Sequence, residues 1–348
     1  MSTLYGYAGR LLRIDLTKGQ ITEELLDEAT ARKYLGGTGI GAKYLYEEVP
    51  PGVNWSDESN RFMIVTGPLG GTPVRGSGSI SVVTCGAMTN GATSTQANGF
   101  LGAFLKLSGA DGLIIQGKAS RLSYLFVHDG TAEIRDASRL KGLDTWQTED
   151  AIKKELGFTE QQMSVFSIGP AGENLVRFAA LVGDRGHVAA HNGVGAVLGA
   201  KNLKAIAVPR GKATVPVHDT TKLSDASRRL FEMIRSEPLT PPTVGGHGVS
   251  WSRVYHYGML QPPRAPEAAG APRTSLVKNY TTNIYQISPE KLEKYSGEYI
   301  RSHFEPKPNP CWACQLHHCH MMRITEGPYT GEVVEEPEYE DTASWGPV

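Results

Sequence analysis

The sequence predicts an α+β fold, strand-rich over residues 1–209 and of a different, helix-bearing texture over 210–348. Three observations predict it. Apolar residues alternate in pairs of short segments joined by turn signals. Apolar runs of strand length recur through the first domain without the regular strand–helix alternation of a doubly wound sheet. After Val208 the pattern gives way to helical spacing and then to a proline-rich stretch.

Leu12, Ile14 and Leu16 alternate, Thr17-Lys18-Gly19-Gln20 turns the chain, and Ile21 resumes, which is a hairpin. A second hairpin runs through 124–127, turns at Asp129-Gly130 and returns through 133–135. Apolar runs at 62–65, 81–84, 113–115, 165–168 and 205–208 read as buried strands, and helices are expected at about 27–35, 41–49 and 146–156. The segment opening at Asn98-Gly99 and closing at Gly117-Lys118-Ala119 is matched by one running from Asn192-Gly193 to Gly211-Lys212-Ala213. Such a pair suggests a duplicated unit, with two similar half-sites. Leu223, Leu230, Phe231 and Ile234 then mark a helix over 221–235. The prolines between Pro238 and Pro272 exclude regular helix or central strand there. Ser288 as N-cap, with Leu292, Tyr295 and Tyr299 on one face, indicates one further helix. It is stopped by the alternating prolines 306, 308 and 310, which deliver the chain to Cys311.

At 348 residues the chain suggests about two domains. Hydrophobic residues make up 40% and charged residues 20%, enough to bury a core. A net charge of −1 leaves no basic footprint for nucleic acid. No apolar stretch is long enough for a membrane span or a secretory h-region, so a cytoplasmic location is expected.

Cys311, Cys314 and Cys319 form the sharpest motif, interleaved with His317, His318 and His320. Clustered thiols read as ligands of a soft metal rather than as a disulfide framework. An iron–sulfur cluster needs a fourth ligand from elsewhere, whereas zinc could take three cysteines and a histidine, and spacing alone does not choose between them. Gly36-Gly37-Thr38-Gly39 follows a helix rather than a strand, so the dinucleotide-binding context fails. The glycine-rich loops at 67–72 and 75–79 follow a strand and offer backbone N–H groups to a phosphate, or are simple turns. His247 and His256 fall in the irregular stretch and read first as solvated side chains, and Arg75 reads first as a surface arginine. The acidic run from Glu335 to Asp341 is interrupted by Pro337 and Tyr339, which suggests that it turns inward.

The order of motifs adds a family reading. Gly9-Arg10, Tyr34-Leu35-Gly36-Gly37, Gly67-Pro68-Leu69, Arg135-Asp136-Ala137-Ser138, Gly169-Pro170-Ala171-Gly172-Glu173-Asn174, Gly193-Val194-Gly195, Lys201-Asn202-Leu203-Lys204, the cysteine segment and Glu336-Pro337-Glu338-Tyr339-Glu340 occur in sequence. Together they resemble the aldehyde ferredoxin oxidoreductases over essentially the whole chain. The resemblance implies a β-rich pterin-binding platform over 1–209 and the beginning of a mainly helical domain over 210–348. The cofactors it implies are tungsten (or molybdenum) held by two pterins and a [4Fe-4S] cluster. It also implies a fourth cysteine and a C-terminal part beyond this sequence, so that the chain reads as a fragment or as half of a split enzyme.

By the same resemblance, the cluster ligands are Cys311, Cys314 and Cys319, with His318 standing where the family has its third cysteine and therefore as the alternative. Pterin contacts fall on Ser79, Gln96, Ala97, Asn98 and His187, with Arg75 as a substitute for the family arginine that Ser79 replaces. These departures point to a divergent branch. Glu340 aligns with the glutamate that faces substrate, and is expected to face a cavity while Glu335 faces solvent. The reaction implied is oxidation of an aldehyde to a carboxylic acid, with ferredoxin or another electron-transfer subunit as partner. Reduction of an activated aromatic or other acyl substrate is the alternative within the family, and a non-catalytic zinc-binding scaffold is the alternative outside it.

Overall fold

The computed structural model describes residues 3–236, 251–258, 278–279, 281–282, 288, 290–291, 294, 296–338, 341 and 344. It divides into two units, one of Met1–Leu223 with Cys311–Ala313 and one of Ser224–Pro310 with Cys314–Val348. Its described elements have the α+β class expected of the sequence.

The first unit contains two six-stranded sheets. The first comprises β1 (Arg10–Asp15), β2 (Gln20–Leu25), β3 (Phe62–Val65), β4 (Ile80–Cys85), β5 (Ala92–Ala97) and β6 (Gly112–Gln116). The second comprises β7 (Ser123–His128), β8 (Thr131–Asp136), β9 (Met163–Ser167), β10 (Leu181–Gly183), β11 (His187–Ala189) and β12 (Leu203–Pro209). Their orders are β2-β1-β6-β3-β4-β5 and, read from the other edge, β8-β7-β12-β9-β10-β11. Strand for strand these are one topology. In each sheet the last strand lies parallel to the first strand of the hairpin and antiparallel to the third strand. In each it is reached through a seven-residue helix, α3 (Leu101–Leu107) or α6 (Val194–Ala200), the latter following the one-turn α5 (Pro170–Glu173) in the chain. The duplication suggested by the two Asn-Gly segments is therefore present in the fold.

The side-chain pattern follows from layering. Leu12, Ile14, Phe62 and Ile64 of the first sheet share one core with Leu125, Phe166, Leu181 and Ile206 of the second and with α3 and α6. On its other face the first sheet packs Leu11, Met63, Val83 and Ile114 under α1 (Glu28–Tyr34) and α2 (Gly37–Glu48). The second sheet packs Met163, Val165 and Ala207 under Ile152 of α4 (Thr145–Leu156). Strands covered on both faces need apolar residues at every position, which is why they appear as unbroken runs. The boundaries have local causes. The Asp144 side chain accepts from Gln147 N while Gln147 closes a capping box, and Gly157 ends α4 in the left-handed region. The α2 helix begins four residues earlier than its apolar pattern implies. The glycines at its start serve close packing: a Cβ on Gly39 would lie 2.1 Å from Tyr34 O, and one on the preceding N-cap Gly36 2.7 Å from Thr66 O.

The second unit's described residues include α7 (Thr220–Ser236) from Ser224 onward, α8 (Trp251–Tyr257) and α9 (Gly297–His303). They also include a sheet of β13 (Glu305–Pro308), β14 (His320–Arg323) and β15 (Val333–Glu335). The prolines of β13 are tolerated because it is an edge strand. Two expectations are corrected here. Ser288 and Tyr299 do not share one helix, because Ser296 starts a new one by accepting from Tyr299 N at 3.1 Å. His256 lies on a helix rather than in irregular chain, and is exposed there.

Candidate functional site

In the first unit, the antiparallel register of β4 and β5 sets Ile80 opposite Ala97 and Ser81 opposite Gln96. The flanking residues Ser79 and Asn98 therefore meet at one end of the pair, where the Ser79 hydroxyl donates to Asn98 Oδ1. Gln96 is exposed on the same strand and donates to Thr38 Oγ1 at 3.2 Å and Ser94 Oγ at 3.0 Å. Ala97 is buried and contributes only its backbone pairing. Arg75 belongs to the loop entering β4, with its terminal guanidinium nitrogens buried. In the preceding loop, a Cβ on Gly67 would meet nothing within 4 Å, and its backbone needs no positive φ. The same backbone is closely packed on its other side, where a Cβ on Gly36 would lie 2.8 Å from Gly67 Cα, and Gly67 O accepts from Gly70 N at 3.0 Å.

The Cys311–Ala313 segment is seated on this corner. Trp312 N donates to Gly99 O at 3.1 Å, and its indole Nε1 donates to Thr72 O at 3.0 Å. The ring packs edge-on to Phe104 and beneath the Arg210 guanidinium. Gly78 permits this approach: a Cβ there would lie 2.8 Å from Trp312 Cβ and 2.1 Å from Gly99 O. Cys311 is buried, with Sγ 3.7 Å from His187 Nε2. His187, which the sequence resemblance leads one to expect at the pterin, thus lies against the first cysteine of the motif.

Beneath the corner lies Asp184, whose Oδ2 accepts from Phe100 N at 2.7 Å and Ser164 Oγ at 2.8 Å. Burial, opposed by those hydrogen bonds and added to by nearby Glu149, pushes its carboxyl up to about 7. It sits in a turn where Asp184 and Arg185 have φ of 47° and 70°. Sequence reasoning missed Asp184, Trp312, Thr38, Ser81 and Ser94. Trp312 was discernible as the residue inside a Cys-x-x-Cys motif. The hydroxyl residues become neighbours only through the pairing of β4 with β5 and the entry of α2.

In the second unit, His318 Nε2 lies 3.3 Å from Cys319 Sγ and 3.8 Å from Glu338 Oε1. One ligand atom from each of these three lies within 4.8 Å of the others. A hydrogen bond with Cys314 comes first among the causes that hold the His318 imidazole's pKa above its ordinary value. None of the four cysteines is in a disulfide. The thiolate is a soft donor and the imidazole a borderline one, which suits iron–sulfur or zinc, while the carboxylate beside them is a hard donor that zinc also accepts. Nearby, Glu336 is buried and ion-paired through both oxygens to Arg301, with His320 3.2 Å away. Glu335 does not face solvent as expected. It is half-buried, and burial followed by repulsion from Glu338 raises its carboxyl to about 7. Glu340 and His247 lie outside the described residues.

Comparison with known proteins then places the chain. Residues 11–210 match the model of the aldehyde ferredoxin oxidoreductase N-terminal domain, and residues 250–348 match that of the same enzymes' domains 2 and 3. The chain is 37% identical over 345 residues to a tungsten-containing aldehyde ferredoxin oxidoreductase of Pyrococcus abyssi, covering 99% of this chain and 53% of that protein. It is 31% identical to the WOR-like subunit of an aliphatic sulfonate oxidoreductase of Pyrococcus furiosus, covering 99% and 54%. The solved active-site complex BamBC of benzoyl coenzyme A reductase with 1,5-dienoyl-CoA is similar in fold. There the TM-score is 0.77 at 27% identity, covering 98% of this chain and 51% of the other. The chain thus spans about half the length of the curated relatives it matches. With both family models matching in order on one chain, this protein belongs to the aldehyde ferredoxin oxidoreductase family.

Proposed function

We propose that this chain forms the cofactor-holding part of an enzyme that oxidises an aldehyde to a carboxylic acid and passes the electrons to ferredoxin or another electron-transfer protein. Enzymes of the family are tungsten bis-pterin oxidoreductases with a [4Fe-4S] cluster. When bound, these groups supply the two-electron chemistry and its division into single-electron steps. In this reading Cys311, Cys314 and Cys319 ligate the cluster, with His318 as the alternative to Cys319. Ser79, Gln96 and Asn98 bind pterin by hydrogen bonds, the Ala97 backbone lies against it, and Arg75 and His187 take the places of the family's arginines. Glu340 accepts the proton released as water adds to the carbonyl carbon. The observation that supports the reading is the seating of Cys311–Ala313 on the Asn98-Gly99 corner, with the Cys311 thiol against His187, all within one unit.

Metal analysis of the protein from its native source tests it. Tungsten (or molybdenum) together with about four iron atoms is the expected result. Zinc alone would replace the enzyme with a structural metal-binding scaffold. The benzoyl coenzyme A reductase likeness favours a second reading, in which the same site reduces an activated aromatic acyl group. Assays separate the two: aldehyde-dependent viologen reduction supports oxidation, whereas turnover confined to an aromatic acyl thioester with a low-potential donor supports reduction.

A further inference from the structure

We infer that His187 donates its Nε2–H to the Sγ of Cys311 and thereby raises the reduction potential of the cluster, an inference that rests on the reading of Cys311 as a cluster ligand. The two atoms lie 3.7 Å apart, a separation that sulfur's large radius allows, and both residues are buried, at 7% and 6% exposure. A thiolate bound to iron carries no proton and can only accept, so the ring N–H is the donor and the neutral imidazole suffices.

Both partners are fixed to the same corner. His187 is held in β11 opposite Gly183. Its ring lies where a Cβ on Gly99 would intrude, 3.0 Å from Cδ2. Cys311 is held because the next residue's N–H donates to Gly99 O while its indole is anchored on Thr72. Gly99 therefore makes room for the donor and positions the acceptor.

The direction of the effect follows from charge. Reduction adds one negative charge to the cluster, part of which falls on the ligand sulfur. A hydrogen bond to that sulfur stabilises the reduced form more than the oxidised form, and a buried site strengthens the difference. His187 is on this account a positioning and tuning residue, not a catalytic one.

The test is a potentiometric titration of the holoenzyme followed by electron paramagnetic resonance. In His187→Leu the ratio of reduced to oxidised cluster at a fixed potential should fall about tenfold, equivalent to ~59 mV for a one-electron couple. His187→Gln, which keeps an N–H donor, should recover much of that loss. Val188→Thr, an exposed neighbour on the same strand, should leave the potential unchanged. An unshifted potential in His187→Leu with a normal cluster signal overturns the inference. Should that variant lose its cluster, hyperfine spectroscopy decides instead: an imidazole-nitrogen coupling present in the wild type and lost in His187→Gln supports the bond, and identical spectra refute it. A wild-type protein without any iron–sulfur signal would instead remove the reading of Cys311 on which the inference stands.

Discussion

Asp184 shows how a single buried carboxyl couples stability to pH. Its pKa rises from 3.8 to about 7 on folding, so between those values the folded chain binds a proton that the unfolded chain has released. Stability must therefore fall as pH rises from about 4 to about 7, by at most ~4 kcal/mol from this group. Asp184→Asn imitates the protonated form and keeps an acceptor for Phe100 N. It should flatten that dependence and raise the unfolding temperature at pH 8 relative to pH 5, which thermal melts at the two pH values would check. The catalytic proposal is tested at the same scale. In the full-length enzyme, Glu340→Gln should lower turnover by ~10²-fold or more with metal content unchanged, the scale of a lost acid or base. Wild-type turnover would remove Glu340 from the mechanism. The buried Lys106–Asp111 pair offers a third test, since Asp111 also accepts from the backbone of Ala8, Gly9 and Arg10. Asp111→Asn leaves Lys106 without its counter-charge and should cost ~3–5 kcal/mol in denaturant titration.

Among the elements, the fully buried strands and the capped helix α4 were legible because burial on both faces and a capping box leave plain local signals. The helices α3 and α6 were not. Every residue of α6 is buried, so it has no polar face to produce a period, and its glycines look like turns. They serve packing instead: a Cβ on Gly199 would lie 2.0 Å from Gly172 O, and one on Gly195 2.4 Å from Ala180 O. The edge strand β5 was missed for the opposite reason, since its Thr, Ser and Gln side chains carry little apolar alternation. Gly193 gives the sharpest element-scale prediction. Its φ is +67°, and a Cβ there would come within 1.8 Å of Arg177 O. Gly193→Ala should cost ~3 kcal/mol or more. Gly52→Ala, with a similar φ but nothing within 4 Å, should cost only ~1 kcal/mol. Equal melting temperatures for the two variants would contradict this account.

In the molecule as a whole, the twin Asn-Gly segments foretold the duplication but not how the two halves interlock. The corner of the first half, at Gly99 and Phe100, is completed by Asp184 and His187 from the second. The corner of the second half, at Asn192, is completed by Thr89 from the first, whose N–H donates to Asn192 Oδ1 at 3.0 Å. Sequence could not disclose this, because the contacts join residues 84 to 103 positions apart and depend on both sheets being formed. The candidate site was legible to a similar degree: its cysteines and loops could be named, but the meeting of His187 with Cys311 could not. The interlock also sets a schedule for biosynthesis. At ~5–20 residues per second, the ribosome leaves the first corner waiting roughly 4–18 s for the strand that covers it. A nascent chain stalled before that strand has left the exit tunnel should remain open to proteolysis around Gly99, and a modest further extension should close it. The first sheet should thus emerge with a corner open to chaperones until the second sheet covers it.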